Sequence, residues 1–173
     1  MYNHWRKDLE ASIKALDSIK NTLLPRLISG KIHSIEKADD HILLLLDTKS
    51  GIDYIRENET GLQGIASRVQ WGSKAWNTFT IRSERHTGAK TEFAKRVEAI
   101  RDGYFYPAFT LQAYFTDRET NGFLSVGIIK TINLYNFIGA NPNLVHKNKS
   151  DNEFKFVFWE DLTGIVNILT KAK

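Results

Sequence analysis

Residues 41–71, HILLLLDTKSGIDYIRENETGLQGIASRVQW, hold three successive strand-like segments. HILLLLD at 41–47 is nearly all apolar, which is typical of a buried strand, although its periodicity alone also allows a helix. A second segment spans 51–57, and a third spans 62–71 beyond a short polar turn. The stretch therefore predicts neighbouring strands, with Asp53 near the start of the second.

Helices and further strands surround this stretch. Apolar residues at three- and four-residue spacings predict amphipathic helices over 4–28 and 90–101. The shorter predicted elements are strands at 31–36, 76–82 and 154–159, a hairpin of 108–115 with 123–130, helices at 133–138 and 161–169, and a polar loop at 141–153. This order predicts one domain over 1–173, of the α/β or α+β class, with a single-layer mixed β-sheet flanked by helices.

Composition limits the chemistry and the compartment. The 173 residues include no cysteine, which excludes disulfides, thiol catalysis and zinc sites with sulfur ligands. A formal net charge of +4 permits an anionic partner such as nucleic acid. Because the sequence has no P-loop, G-x-G-x-x-G or G-x-S-x-G motif, P-loop nucleotide hydrolysis, dinucleotide binding and α/β-hydrolase chemistry have no support. No segment has the pattern of a signal peptide or membrane span, so we expect a cytoplasmic protein without a membrane partner.

The order of elements resembles the core of the PD-(D/E)XK nuclease superfamily, in which a helix, three strands, a second helix and a strand follow one another. Residues 5–116 carry this resemblance, and the strand at 76–82 is an insertion into that core. The resemblance implies a restriction-endonuclease-like core and hydrolysis of phosphodiester bonds with magnesium, an ion that prefers carboxylate and water oxygens.

The matching residues lie on two neighbouring strands and the first helix. In the superfamily an Asp opens the second core strand, and Asp53 in GIDYI takes that position. The third strand lacks the family's Glu-x-Lys and, by strand alternation, has Arg68 and Gln70 on one face. The resemblance implies that Asp53, Arg68 and Gln70 are catalytic, and that Asp53 and Glu10 bind magnesium. The alternative is a solvated Asp53 near a turn, with Arg68 and Gln70 on an exposed sheet face.

A dense basic stretch follows the third strand. Basic side chains interleaved with aromatic ones suit single-stranded or flexible nucleic acid, and Trp71, Trp76 and Phe79 lie just before this stretch. The residues that we expect to contact DNA or RNA are Arg82, Arg85, Lys90, Lys95 and Arg96. The alternative is a solvated helix face, because Glu92 is spaced to pair with Lys95 or Arg96.

Three classes of function stay open. The leading expectation is a nucleic-acid-binding protein, with magnesium-dependent cleavage as the activity that the resemblance implies. RVQW at 68–71 through FTIRSERHTGAKTEF at 79–93 also resembles uncharacterised proteins of phages and mobile elements, which indicates a non-catalytic accessory or inhibitor module. The third class is a small-molecule sensor, for which a deep apolar cavity around Trp71 and Trp76 would be the sign.

Overall fold

The first described element is a long helical segment. The computed structural model describes residues 3–35, 41, 46, 50–85, 87–118, 122–149 and 153–171. Helix α1 (Asn3–Ser18) continues through a π-helical turn, Ile19–Leu23, into α2 (Leu24–Leu27). The helix predicted for 4–28 is therefore confirmed. The irregular turn lies just before Pro25, whose ring has no N–H for the helical ladder.

Most of the remaining described elements are strands, and helices lie between some of them. The strands are β1 (Lys31–Ser34), β2 (Tyr54–Asn58), β3 (Gly61–Trp71), β4 (Thr78–Arg82), β5 (Phe109–Phe115), β6 (Phe123–Lys130), β7 (His146–Lys149), β8 (Glu153–Phe158) and β9 (Val166–Thr170). The helices are α3 (Glu92–Asp102) and α4 (Thr131–Ala140), with 3₁₀ turns at Pro142–Leu144 and Trp159–Leu162. No described helix has the length and apolar character needed to cross a membrane.

The strands form two sheets, so the prediction of a mixed sheet with helices is confirmed and the prediction of a single layer is wrong. The larger sheet has six strands in the order β1-β2-β3-β5-β6-β9, and the smaller has three in the order β4-β8-β7. In the larger sheet β3 and β5 are parallel, and the other neighbours are antiparallel. A crossover joins β3 to β5 and includes β4 and α3, because parallel neighbours cannot be joined by a hairpin.

The chain leaves the larger sheet between β3 and β4. The N–H of Gly72 donates to Phe115 O, at 2.9 Å, and Asn77 then takes a left-handed backbone conformation with φ of 51°. This bend places β4 beside β8 in the smaller sheet. In the larger sheet β5, instead of β4, pairs with β3. Alternation of apolar and polar residues predicts that a segment is a strand, but it does not predict which strand lies beside it. For this reason β4 was expected in the same sheet as the other strands.

Hydrophobic residues pack on both faces of the larger sheet. On one face the N-terminal helical segment contributes Ala15, Ile19 and Leu23, which pack with strand residues including Leu111. On the other face the smaller sheet and α4 pack over Tyr114 through Phe79, Leu134 and Trp159. Alternation along β3 therefore sends Ser67, Val69 and Trp71 towards α1, and Ala66, Arg68 and Gln70 towards the smaller sheet.

Helix α3 is capped at both ends. The side-chain oxygen of Thr91 accepts a hydrogen bond from the N–H of Ala94 at 3.4 Å, as an N-cap does. Gly103 ends the helix with φ of 72°, a conformation that glycine adopts without a Cβ penalty. These caps fix where the helix begins, and so fix the positions of Glu92 and Arg96.

The structure differs from three other local predictions. The helix predicted for 161–169 is wrong, because Gly164 takes φ of 85° and β9 follows it as an edge strand beside β6. The predicted loop at 141–153 contains β7, whose polar sequence suits the edge of a sheet. The predicted strand at 41–47 falls mostly outside the described residues, and its described positions, His41 and Leu46, are helical.

Candidate functional site

Asp53 lies directly before β2, as predicted, and its carboxylate is fixed to the neighbouring strand. Its N–H donates to Ile65 O at 2.9 Å, and its carbonyl accepts from the N–H of Ile35 at 3.0 Å. Asp53 Oδ2 accepts hydrogen bonds from Ser67 N at 2.5 Å and Ser67 Oγ at 3.0 Å. These two hydrogen bonds hold the Asp53 carboxylate against β3. They lie just past the last residue of β3 that pairs with β2.

Glu92, at the start of α3, joins two arginines. Its Oε1 lies 2.5 Å from Arg96 Nη1, and its Oε2 lies 3.5 Å from Arg68 Nη1. The Arg96 side chain is only 5% exposed. Burial opposes the charge of Arg96, but Glu92 first, then Tyr135 and Asp53, more than offset it and raise its pKa. The Glu92–Arg96 pair noted as a helix pair in the sequence is thus part of the site.

Arg68 lies near two other guanidinium groups, those of Arg82 and Arg96. Burial lowers the pKa of Arg68, and the guanidinium groups of Arg82 and Arg96 lower it further, against the attraction of Glu92. The Arg68 guanidinium also lies over the Phe154 ring, 4.8 Å from its centroid. An arginine keeps its charge at neutral pH even when its pKa falls, so the cluster holds several like charges close together.

The basic cleft runs from the start of β2 to the start of α3, across β3 and the segment after β4. It consists of two adjoining cavities of about 380 and 270 Å³ that share Asp53, Ser67, Arg85 and Glu92. Its ionisable residues are the cations Arg68, Arg82, Arg85, Lys95 and Arg96 and the carboxylates Asp53 and Glu92. Among the described residues the cleft therefore carries five positive charges against two negative ones, a balance that favours an anionic ligand.

Arg82 and Arg85 contribute charges that the described part of the protein does not neutralise. Neither forms an ion pair with a described residue, and the buried Nε atom of each has no hydrogen-bond acceptor there. The Arg82 guanidinium lies 5.4 Å from the centroid of the Phe154 ring, a cation–π contact that attracts the cation but supplies no negative charge. These guanidinium groups supply donors in the planar geometry that matches phosphate oxygens.

Most of the predicted nucleic-acid contacts converge in this cleft. Arg82, Arg85, Lys95 and Arg96 line it, whereas Lys90 is outside its lining and pairs with Glu98. The four are close together because β4 delivers the first two to the N-terminal end of α3. Because these four residues lie within positions 82–96, the sequence alone was enough to group them.

The predicted catalytic and metal residues converge only in part. Asp53 and Arg68 line the same cavity. Gln70 lines the space between the two sheets, and the exposed Glu10 is outside the lining, to which α1 contributes Ser12 and Leu16. Strand alternation places Arg68 and Gln70 on one face, but Arg68 also lines the cavity beside α1, whereas Gln70 does not.

The donor groups that described residues contribute to the basic cleft do not fit a magnesium ion. Both oxygens of Glu92 are engaged by guanidinium groups, and five cationic side chains would repel a divalent cation. Across the described ranges, no cluster of three His, Asp or Glu side chains is arranged to hold a metal. The residues present match the phosphate of an anionic ligand better than a cation.

Sequence reasoning identified most of the basic cleft but missed how its anionic residues are used. Glu92 was assigned to a helix pair, although its position two residues after Lys90 and directly after the cap of α3 placed it beside the predicted contacts. Ser67, a polar residue of the third predicted strand, was not identified as the residue that anchors Asp53. Comparison of the chain with protein-family models, curated proteins and solved structures gives no match in any of the three.

Proposed function

We propose that the protein binds nucleic acid by holding backbone phosphates in the basic cleft. The observation that carries this proposal is the pair Arg82 and Arg85, which line the cleft without an ion pair to any residue of the described ranges. Arg68, Lys95 and Arg96 surround them, and phosphate oxygens are the acceptors that such a group of guanidinium donors suits. Phosphate contacts of this kind supply affinity without reading sequence.

The order of elements supports a PD-(D/E)XK-like core as the scaffold of this site. Helix α1, strands β1 to β3, helix α3 and strand β5 follow one another in the order of that core, with β4 as the insertion. Asp53 directly before β2 and Arg68 on β3 line one cavity, which supports this scaffold. Such a core would bring the phosphates to the edge of the sheet where β2 begins.

Replacing Arg82 and Arg85 together by alanine is expected to weaken nucleic-acid binding by about 10- to 100-fold, because each charge-assisted hydrogen bond contributes about 1.5–3 kcal/mol before solvent screening. The matched control is Lys90→Ala, which removes a nearby cation that pairs with Glu98 outside the cleft lining. Fluorescence anisotropy with labelled single- and double-stranded DNA and RNA measures all three proteins. Equal losses in the double variant and the control would place the contacts elsewhere.

Phosphodiester cleavage is the activity that the resemblance implies, and Asp53 is the residue on which it would depend. Because the cleft's own donors do not suit magnesium, we expect the wild-type protein to bind nucleic acid without cutting it, even at millimolar magnesium or manganese. The variant for comparison is Asp53→Asn, which keeps an oxygen that accepts from Ser67. Gel analysis of labelled DNA and RNA provides the measurement. Cleavage by the wild type that Asp53→Asn abolishes would overturn the expectation and make the protein a nuclease.

The two remaining classes predict different results in the same binding assay. A non-catalytic accessory or inhibitor module that binds only protein would show no affinity for any of the four nucleic acids. A small-molecule sensor would likewise leave the anisotropy of every labelled strand unchanged. Binding that Arg82→Ala/Arg85→Ala weakens and Lys90→Ala leaves intact separates the proposed function from both.

A further inference from the structure

A second cavity, of about 580 Å³, lies between β3 and the smaller sheet. One of its walls is aromatic. Phe154, Phe156 and Phe158 alternate along β8 and therefore share the face that lines the cavity. Trp76 lines it as well and is 62% exposed, which is high for the largest apolar side chain. The phosphate contacts proposed for the basic cleft do not involve this aromatic surface.

Polar groups that can pair with a ligand line the cavity from both sheets. Gln70 on β3 and Asn148 on β7 both line the cavity, and neither side-chain amide has a hydrogen-bond partner in the described ranges. Each amide offers both a donor and an acceptor. Thr78 and Thr80 line the cavity from β4, beside the phenylalanines of β8, and the Thr78 hydroxyl is already bonded to the Tyr114 hydroxyl at 2.8 Å. The cavity thus combines flat apolar faces with the paired hydrogen-bonding groups that read the edge of a heterocycle.

Arg68 is shared by this cavity and the basic cleft. It lines both, and its guanidinium lies 4.8 Å from the centroid of the Phe154 ring that forms the aromatic wall. A ligand with a flat ring in the cavity and a phosphate in the cleft would therefore contact Arg68 at the junction. This is the covalent arrangement of a nucleotide, in which a base and a phosphate are joined by a sugar.

Trp76 is held in place by the residue that follows it. Asn77 has the left-handed φ of 51°, its carbonyl accepts from the N–H of Trp159 at 2.8 Å, and its side-chain oxygen accepts from Ser125 Oγ at 2.8 Å. These bonds tie the segment to both the larger sheet and the buried Trp159. The Trp76 ring is therefore presented at the cavity by a fixed backbone, an arrangement that limits the entropy lost when a ligand stacks on it.

We infer that the cavity takes the base of an unpaired nucleotide whose phosphate lies in the basic cleft, so that the protein prefers single-stranded nucleic acid. The inference rests on the proposed function. Stacking on Trp76 and the phenylalanines requires the face of a base, which a duplex covers with its neighbouring base pairs. Gln70 and Asn148 contact the base edge, which is also occupied in a duplex.

The test compares Trp76→Ala with Tyr104→Ala, which removes an aromatic side chain that is similarly exposed, at 65%, but lines neither cavity. Binding of a labelled single strand and a hairpin duplex of equal length is measured by anisotropy. Trp76→Ala is expected to weaken single-strand binding by about 5- to 100-fold, the effect of losing one base–aromatic stack, and to change duplex binding by less than about twofold. Trp76→Phe is expected to restore most of the affinity, and Tyr104→Ala to resemble the wild type.

The outcomes separate failure of this inference from failure of the proposed function. Equal wild-type affinity for single strand and duplex, unaffected by Trp76→Ala, overturns the inference while the Arg82→Ala/Arg85→Ala loss keeps the phosphate cleft. Absence of binding to either nucleic acid overturns both. Adenosine monophosphate, added as competitor, distinguishes a strand from a free nucleotide. If it binds as tightly as the oligonucleotide and Trp76→Ala abolishes that binding, the ligand is a free nucleotide and the single-strand preference is overturned.

Discussion

Replacing Trp159 by alanine is expected to lower the free energy of unfolding by about 3–5 kcal/mol, the usual range for truncating a buried tryptophan. Trp159 is 2% exposed, and its ring centroid lies 5.8 Å from that of Phe79 and 5.7 Å from that of Tyr114. It also covers Gly127, where an added Cβ would come within 2.6 Å of the indole. The indole thus fills the contact between the two sheets, and its loss leaves a cavity there.

Urea denaturation followed by circular dichroism measures this loss. Trp76→Ala is the matched control, because Trp76 is exposed and its removal is expected to change the free energy of unfolding by less than about 0.5 kcal/mol. A loss below about 1 kcal/mol for Trp159→Ala would contradict the packing of the smaller sheet against the larger one. It would also remove the basis for describing the inter-sheet cavity as a fixed site.

Replacing Glu92 by glutamine is expected to have two opposite effects. Removal of one partner from a buried ion pair leaves Arg96 uncompensated, which we expect to lower the free energy of unfolding by about 2–3 kcal/mol. This lies below the range for fully buried pairs because the Glu92 side chain is 30% exposed. The same change removes one of two negative charges from the basic cleft, so nucleic-acid affinity is expected to rise roughly fivefold, equivalent to about 1 kcal/mol of relieved repulsion.

Denaturation and anisotropy on the same preparation measure both effects of Glu92→Gln. Glu98→Gln is the control, since Glu98 pairs with the exposed Lys90 outside the cleft lining and such surface pairs contribute about 0–1 kcal/mol. If Glu92→Gln weakens nucleic-acid binding while remaining folded, Glu92 contacts the ligand instead of opposing it. That result would contradict the assignment of the cleft as a site for phosphate.

The elements with strong local signals were predictable from the sequence. Stripes of apolar residues predicted the N-terminal helix and α3. Asp53 at the start of β2 followed from the strand pattern around it. The basic residues of β4 and α3 were grouped correctly because they are close in sequence. A cluster that lies on one contiguous segment can be identified even when the predicted arrangement of strands is wrong.

Features that depend on partners distant in sequence were not predictable in this way. Alternation marked β4 as a strand, but its pairing with β8 instead of β3 depends on contacts between residues about 75 positions apart, such as Phe79 and Val157. The segment around Val166 was assigned to a helix because its apolar residues also fit a helical period, and its pairing with β6 overrode that preference. The aromatic wall on β8 had a signal, Phe-x-Phe-x-Phe at 154–158, that was interpreted only as a strand.

The salt dependence of binding tests the central claim most directly, because it counts the phosphates that the cleft neutralises. For a single strand, each contact contributes about −0.7 to the slope of log K against log salt concentration. Arg82→Ala/Arg85→Ala is therefore expected to make the slope less steep by about 1.4 relative to the wild type, and Lys90→Ala to leave it unchanged. A wild-type affinity that does not vary with salt, or an equal slope in the double variant, would contradict binding of nucleic-acid phosphates in the basic cleft.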